Sequence, residues 1–320
     1  MRTKVSKIAS VFIPLLLGFG LIYYQYTTLS VEELNKIKFC FQKANYFYIF
    51  LSLIISLFGY WARAYRWKYS LQHLGYQTNF KNDFMSVCVS YFMNLTIPRS
   101  GEITRAALLK KYENVPFDKG FGTIVAERIV DLILFLLFVG LAFILQFEKL
   151  YNFIKEKISI EKIILFGIIG LFLGIVFLLI WIYAEWKIIK KLKNKFSGLI
   201  EGMLSIVMMK DKWKYIFFSF LIWFSYLLMF YIPIYALPET ANIGFDIVIM
   251  GFIFGSLAVG FTNGGLGAYP LAIAMIFSLY GISNDIGTAF GWLAWTSQTI
   301  LTIFLGLLSY VFLPLYNKNK

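Results

Sequence analysis

Histidine and cysteine are nearly missing from this chain. Its 320 residues include one histidine, His73, and two cysteines, Cys40 and Cys88. Two cysteines exclude a disulfide scaffold and a cysteine-rich metal site. A single histidine excludes a histidine-built metal centre or a histidine relay, and its place in "YSLQHLGYQ", after an apolar run, suits an interfacial surface residue. Charge is scarce as well: 15% of residues are charged, against 59% hydrophobic and 20% aromatic. A soluble domain of this size could not cover its core with so few charges. The apolar residues run continuously instead of alternating, which argues against a membrane β-barrel. No polar stretch is long enough for a linker or a soluble domain. The one Gly-rich turn, "GGLGAYP", has no basic residue, so it is neither a Walker loop nor a dinucleotide fingerprint.

What remains is a series of apolar runs of about 20 residues, the mark of a multi-pass helical membrane protein. Full spans are expected at 8–29, 46–67, 122–147, 162–184, 213–236 and 286–313. The N-terminal run follows a basic start like a signal peptide, but no small-residue cleavage site comes after it, and it reads as an uncleaved first span. Two further apolar segments are interrupted: 83–112 at "TIPRSGE", and 246–280 at "FTNGGLGAYP". Segments 31–45 and 187–212 mix Lys with apolar residues, and the second reads as an amphipathic helix on the cytoplasmic leaflet or as a solvated connection.

The net charge of +13 sits beside the spans. It therefore speaks of orientation and anionic lipid rather than nucleic acid. Arg2, Lys4 and Lys7, the lysines of 185–215 and the tail "NKNK" belong inside, while the 237–246 loop, without Lys or Arg, belongs outside. These placements agree only if each broken segment enters and leaves on one side, giving two re-entrant hairpins of opposite orientation. The lysines of the outside loop 148–162 fit this scheme poorly. The two breaks share a pattern, "SYFMNLTIPRSGEI" and "AVGFTNGGLGAYPL", in which Asn94 and Asn263 correspond. An inverted repeat and a chance likeness of membrane segments both explain it.

Irregular backbone at membrane depth is tolerated only against protein or a water-filled cavity. Asn94, Pro98 and Gly101 mark the first break. Asn263, Gly264, Gly265, Gly267 and Pro270 mark the second, either as a backbone-lined floor or as a tight turn between packed helices. A helix starting near Ser100 would set Arg99, Glu102 and Arg105 on one face. Each arginine costs roughly 2.5–3.5 kcal/mol at mid-membrane, one glutamate neutralises one arginine, and the remaining charge asks for an anion. A phosphate suits guanidinium, which grips two of its oxygens, and the helix N-terminus adds partial positive charge. The alternative is an ion network that only braces the hairpin. In "ERIVDL", Glu127, Arg128 and Asp131 form a second charged cluster that can pair with Arg99 or Arg105, carry a coupling proton, or serve an acid–base enzyme. Arg63 and Arg66, beside Trp61 and Trp67, are either interfacial anchors or line the entrance of the first hairpin. The glycine pairs 170/174, 251/255 and 287/291 mark helix packing. Gln298 either faces the cavity or makes an interhelical hydrogen bond.

These motifs resemble the lysylphosphatidylglycerol synthase transmembrane region, a flippase-like family. "NLTIPRSGEITRAALL" is similar to its P-x-R-x-G-E-x-x-R signature, "ERIVDL" to its E-R-x-x-D motif, "RAYRWKYSL" to its Arg-Trp segment, and "GGLGAYP" to its Gly-rich turn. The likeness runs from about residue 8 to 315. Thr262-Asn263 stand where the family has Thr-Pro, and Pro270 stands near a family glutamate, so that acid's role does not carry over. The resemblance implies an all-α, polytopic domain spanning 1–320, with six spans and two re-entrant hairpins around a cavity. It implies a lipid translocase; joined with the charge pattern, the expectation is movement of an anionic phospholipid or polyprenyl-phosphate lipid across the cytoplasmic membrane without ATP, with both termini inside. Arg99, Arg105, Arg66 and Arg63 would bind the lipid phosphate, and Glu102, Glu127, Arg128 and Asp131 would supply counter-charge. No cofactor, metal, catalytic residue or nucleic acid is expected. A homodimer and a lipid-modifying enzyme partner stay open. The rival expectation is an integral-membrane transferase using Glu102, Glu127 and Asp131 as base or metal ligands. A third is a non-transporting accessory subunit.

Overall fold

The computed structural model describes residues 18–97, 99–147 and 208–318, together with Leu16 and Ile206. Every regular element among them is helical. The expected span 162–184, most of 187–212, the 148–162 loop, Gly170, Gly174, Pro98 and the first half of 8–29 lie outside the described residues.

After a helical stretch at 18–28 come α1 (Val31–Lys43), α2 (Tyr46–His73), α3 (Phe80–Thr96), α4 (Ser100–Glu113) and α5 (Phe117–Leu145). Then follow α6 (Lys212–Tyr231), continued by a 3-10 turn at Ile232–Ala236, and α7 (Phe245–Phe261), α8 (Ala268–Ser278) and α9 (Asn284–Tyr316). Local chemistry explains the boundaries. Ser30 and Glu33 form a reciprocal capping box at the start of α1, satisfying amides that the first turn leaves free. Asn45 and Asn79 accept from the second backbone amide of α2 and α3. Asn114, left-handed at φ 58°, stops α4 just before Pro116, which precedes α5.

Among the described residues, four helices are long and apolar enough to cross a membrane: Tyr46–His73, Phe117–Leu145, Lys212–Ala236 and Asn284–Tyr316. The chain is an all-α, polytopic membrane protein. Rows of exposed Leu, Ile and Phe on these helices, such as Leu132, Leu136, Phe143, Phe217, Phe224, Phe304 and Phe312, have lipid as their solvent.

Two pairs of shorter helices, α3–α4 and α7–α8, form hairpins based at opposite ends of the bundle. The α3–α4 pair has its base where α9 ends: Asn79 donates to the Tyr316 hydroxyl at 3.1 Å and Asn82 to Asn317 at 2.9 Å. Glu113, closing α4, accepts from the Asn79 amide at 3.0 Å and from Asn82. The α7–α8 pair has its base at the other end, where Gln146 donates to Asp246 at 3.0 Å and the Asn45 amide to Ala236 at 2.8 Å. At that end Lys36 of α1 also pairs with Asp285 of α9 at 3.8 Å. The tips meet in the middle, where Gly264 lies against Leu95.

The small residues act as expected. Gly251 packs against Phe230, Gly255 against Tyr269, Gly287 against Ala274 and Gly291 against Pro270. These contacts let α7, α8 and α9 approach closely. One core gathers Trp223, Phe230, Phe252, Phe277 and Phe290, and a second gathers Trp67, Cys88, Leu109 and Ile124.

Candidate functional site

The first hairpin breaks between the end of α3 at Thr96 and the start of α4 at Ser100. Arg99 there adopts φ 58°, ψ 16° and precedes α4 without capping it through its side chain. The cap comes from α3: the Asn94 side chain accepts from the Gly101 amide at 2.7 Å. Ser100 turns back to donate to the carbonyls of Met93 and Ile97. Gly101 is packed against the Ser90 carbonyl and Asn94, so a side chain there would strike backbone.

Because Arg99 lies before the helix in a left-handed conformation, it does not share a face with Glu102 and Arg105. Its side chain is exposed and makes no ion pair with a described residue. Arg105 points the other way, into the bundle, at 2% exposure. It forms a two-pronged bond to Glu127 of α5, Nη1 to Oε2 at 2.9 Å and Nη2 to Oε1 at 3.1 Å, and its guanidinium lies 3.6 Å from the centre of the Trp67 ring. Trp67 is itself held by donation to Thr123 at 2.8 Å.

Arg63 and Arg66 are not interfacial anchors. They are 2% and 0% exposed, because α2 continues past them to His73 and carries them inside. Arg66 donates to Asp131 Oδ1 at 2.8 Å, to Ser219 at 3.1 Å and to Glu127 at 3.4 Å. Arg63 donates to Asp131 Oδ2 at 3.1 Å and to the Tyr226 hydroxyl at 3.0 Å, and lies 3.7 Å from Glu127. Trp223 adds a long contact to Asp131 at 3.4 Å. Toward the rim, Arg128 joins Glu102 at 3.1 Å and Asp131 at 3.5 Å, with the Arg128 side chain 45% exposed.

Among the described residues, three buried guanidinium groups therefore make ion pairs with two buried carboxylates, Glu127 and Asp131, an excess of one positive charge within this cluster. The outer pair, Arg128 with Glu102, is neutral in sum and leaves that excess standing. Taking each ion out of water costs several kcal/mol, which pairing offsets only when the bonds are well made. Here they are incomplete: Arg63 Nε and Nη1, Arg66 Nε, Arg105 Nε and Glu102 Oε2 are buried without a hydrogen-bond partner among the described residues. By helical rise, Arg66 lies about 10 Å from the C-terminal end of α2, Arg105 about 12 Å from the base of the α3–α4 hairpin and Glu127 about 15 Å from the start of α5, lengths to set against a hydrocarbon core of about 30 Å.

The structure thus joins Arg63, Arg66, Arg105, Glu127 and Asp131 directly, sets Arg128 and Glu102 at their edge, and leaves Arg99 apart. Ser219, Trp223 and Tyr226 of α6 and Tyr91 of α3 also reach this cluster, and the sequence reading missed them. A signal existed: Ser219, Trp223 and Tyr226 recur at spacings of four and three along an apolar run. At the second break, Gly264, Gly265 and Gly267 have φ of 60°, 86° and 68°, a run of left-handed backbone that glycine adopts without cost. Trp295 donates to the Gly264 carbonyl at 2.6 Å. Pro270 is buried in the first turn of α8. Asn263 is 2% exposed and, unlike Asn94, caps nothing: both side-chain polar atoms lack a partner among the described residues.

One similar curated protein is a UPF0104 membrane protein of Methanocaldococcus jannaschii, 31% identical over 141 residues. The alignment covers 43% of this chain and 40% of that protein. No solved structure matches the chain. The profile of the family described as the lysylphosphatidylglycerol synthase TM region matches residues 11–306, nearly the whole length, and the chain belongs to that family.

Proposed function

We propose that the chain is a lipid translocase that moves a lipid with an anionic phosphate headgroup across the cytoplasmic membrane without ATP. The observation that carries this reading is the excess positive charge of the buried ion cluster, with guanidinium N–H groups that lack a partner among the described residues. A headgroup phosphate supplies both the missing charge and the missing acceptors. With no lipid bound, Glu127 occupies Arg105; an arriving phosphate takes Arg105 over, while Glu127 falls back on Arg66 and Arg63. Arg99, exposed at the hairpin tip, and Arg128, at the rim, meet the headgroup first.

In this reading the chain forms one transmembrane unit of six full spans, and α3–α4 and α7–α8 are re-entrant hairpins of opposite orientation. Their helices support it, since seventeen residues span about 25 Å and eleven about 16 Å, short of the hydrocarbon core. Both termini lie inside, on the side of the α3–α4 base.

The test is transport in phosphatidylcholine vesicles carrying a trace of fluorescent phosphatidylglycerol or labelled polyprenyl phosphate, followed by loss of label accessibility. Arg105→Ala removes two charge-assisted bonds, worth about 1.5–3 kcal/mol, and should slow transport by about one to two orders of magnitude. It leaves two arginines facing two acids, so the protein still folds. Arg99→Ala should lower the rate without changing the unfolding temperature. Wild-type rates in both variants would discard the phosphate grip.

A further inference from the structure

The arginine cluster is one end of a longer polar feature. Ser52, Ser56, Tyr60, Arg63 and Arg66 recur every three or four residues along α2, and all are buried. They form a polar stripe inside the bundle, about 21 Å long at 1.5 Å per residue. Neighbouring helices match it step by step. The Tyr226 hydroxyl accepts from Arg63 at 3.0 Å and shares a 2.6 Å hydrogen bond with Tyr91. The Tyr91 ring lies 4.8 Å from that of Tyr60, whose hydroxyl meets Thr302 of α9 at 2.8 Å. Thr302 donates to the Gln298 carbonyl at 2.8 Å, and the Gln298 amide reaches Ser52 at 3.4 Å. One turn further along α9, Trp295 donates to Gly264 at the tip of the second hairpin.

Interhelical bonds made only for stability would complete one another, since each unmade bond costs about 1–3 kcal/mol. This seam is left incomplete toward the second hairpin. Gln298 Oε1, both amide atoms of Asn263 and both of Gln25 are buried without a partner among the described residues. Gln25 lies on the 18–28 helix, one turn beyond Leu21 and Ile22, which cover Gly267. Amides offer donors and acceptors together and carry no charge, which suits hydroxyl groups.

We infer that this seam is the route of the headgroup from the arginine cluster to the second hairpin, with Gln298, Asn263 and Gln25 taking its uncharged, hydroxylated part. The inference rests on the translocase reading. The phosphate is gripped at one end, and the amides hold the glycerol or other polyol portion as it leaves.

The test uses the full chain in phosphatidylcholine vesicles with a trace of fluorescent phosphatidylglycerol, with wild type and Gln298→Leu side by side. Gln298→Leu keeps the volume and removes the hydrogen bonds, so transport should slow by about tenfold at an unchanged unfolding temperature. In a second arm, Ser56→Cys and Thr302→Cys should react with a charged methanethiosulfonate during transport. Lipid-facing Ile54→Cys, and the wild type with its buried Cys40 and Cys88, should not. A wild type that moves no lipid overturns the translocase reading and this inference with it. An active wild type with Gln298→Leu at the same rate, or with Ser56→Cys and Thr302→Cys unreactive, overturns the seam alone.

Discussion

Glu127 holds more of the buried charge than any other residue, since Arg105, Arg66 and Arg63 all converge on it. Removing it leaves Arg105 with no acid partner among the described residues, and Arg63 and Arg66 with Asp131 alone. Breaking a buried pair in this way costs about 3–5 kcal/mol, so Glu127→Ala should lower the unfolding temperature in detergent far more than Arg105→Met, which leaves arginines and acids in balance. Equal losses in thermal melts would show that the charges are solvated and not buried. Arg99 gives the opposite case. Its left-handed backbone costs about 1 kcal/mol or more in a residue with a Cβ, and glycine adopts it freely. Arg99→Gly should melt at or above wild type while transport slows as in Arg99→Ala, which separates its charge from any bracing role. At this scale the charged residues were legible in the sequence, because charge inside an apolar run is conspicuous. Their partners were not. Spacing put Arg99 with Glu102 and Arg105, whereas a single left-handed residue takes it off the helix. No spacing rule announces that Arg63 of α2 and Glu127 of α5 meet.

Among the elements, the α3–α4 hairpin depends on a side chain standing in for a helical turn. Asn94 holds the Gly101 amide, and losing such a cap costs about 1 kcal/mol, so Asn94→Ala should destabilise modestly. Gly101→Leu should be far worse, because the added side chain meets the Ser90 carbonyl, a backbone atom that cannot swing aside. The measurable outcome is a monodisperse, slightly less stable Asn94→Ala and an aggregated Gly101→Leu on size exclusion in detergent. Comparable behaviour of the two would mean that the close approach of α3 and α4 is not needed. The sequence placed both helix breaks, because Pro, Gly and Asn punctuate any helix. It also suggested that Asn94 and Asn263 were equivalent. The structure separates them: Asn94 acts as a cap, and the Asn263 amide has no partner among the described residues.

For the whole molecule, the hairpins rooted at opposite ends predict a definite sidedness. Lys110, near the α3–α4 base, and Glu239, near the α7–α8 base, should lie on opposite faces of the membrane. In right-side-out and inverted vesicles, an impermeant thiol reagent should label Lys110→Cys only from the cytoplasmic face and Glu239→Cys only from the other. Labelling of both from one face would discard the opposed hairpins and, with them, access from alternate sides.

Composition and patterning together made this a helical membrane protein, because a chain of 59% hydrophobic residues takes lipid as its solvent, and continuous apolar runs satisfy their backbone there as helices and not as a barrel. Local chemistry alone set the helix starts and breaks, because caps and left-handed turns are decided within a few residues. The meeting of Arg63, Arg66, Arg105, Glu127 and Asp131 was decided only by tertiary packing of α2, α4 and α5, since the strength of an ion pair depends on distance and burial, not on separation along the chain. The same packing turned scattered serines, tyrosines and amides into one seam: a polar residue in an apolar helix looks alike in sequence whether it faces a neighbour or a path.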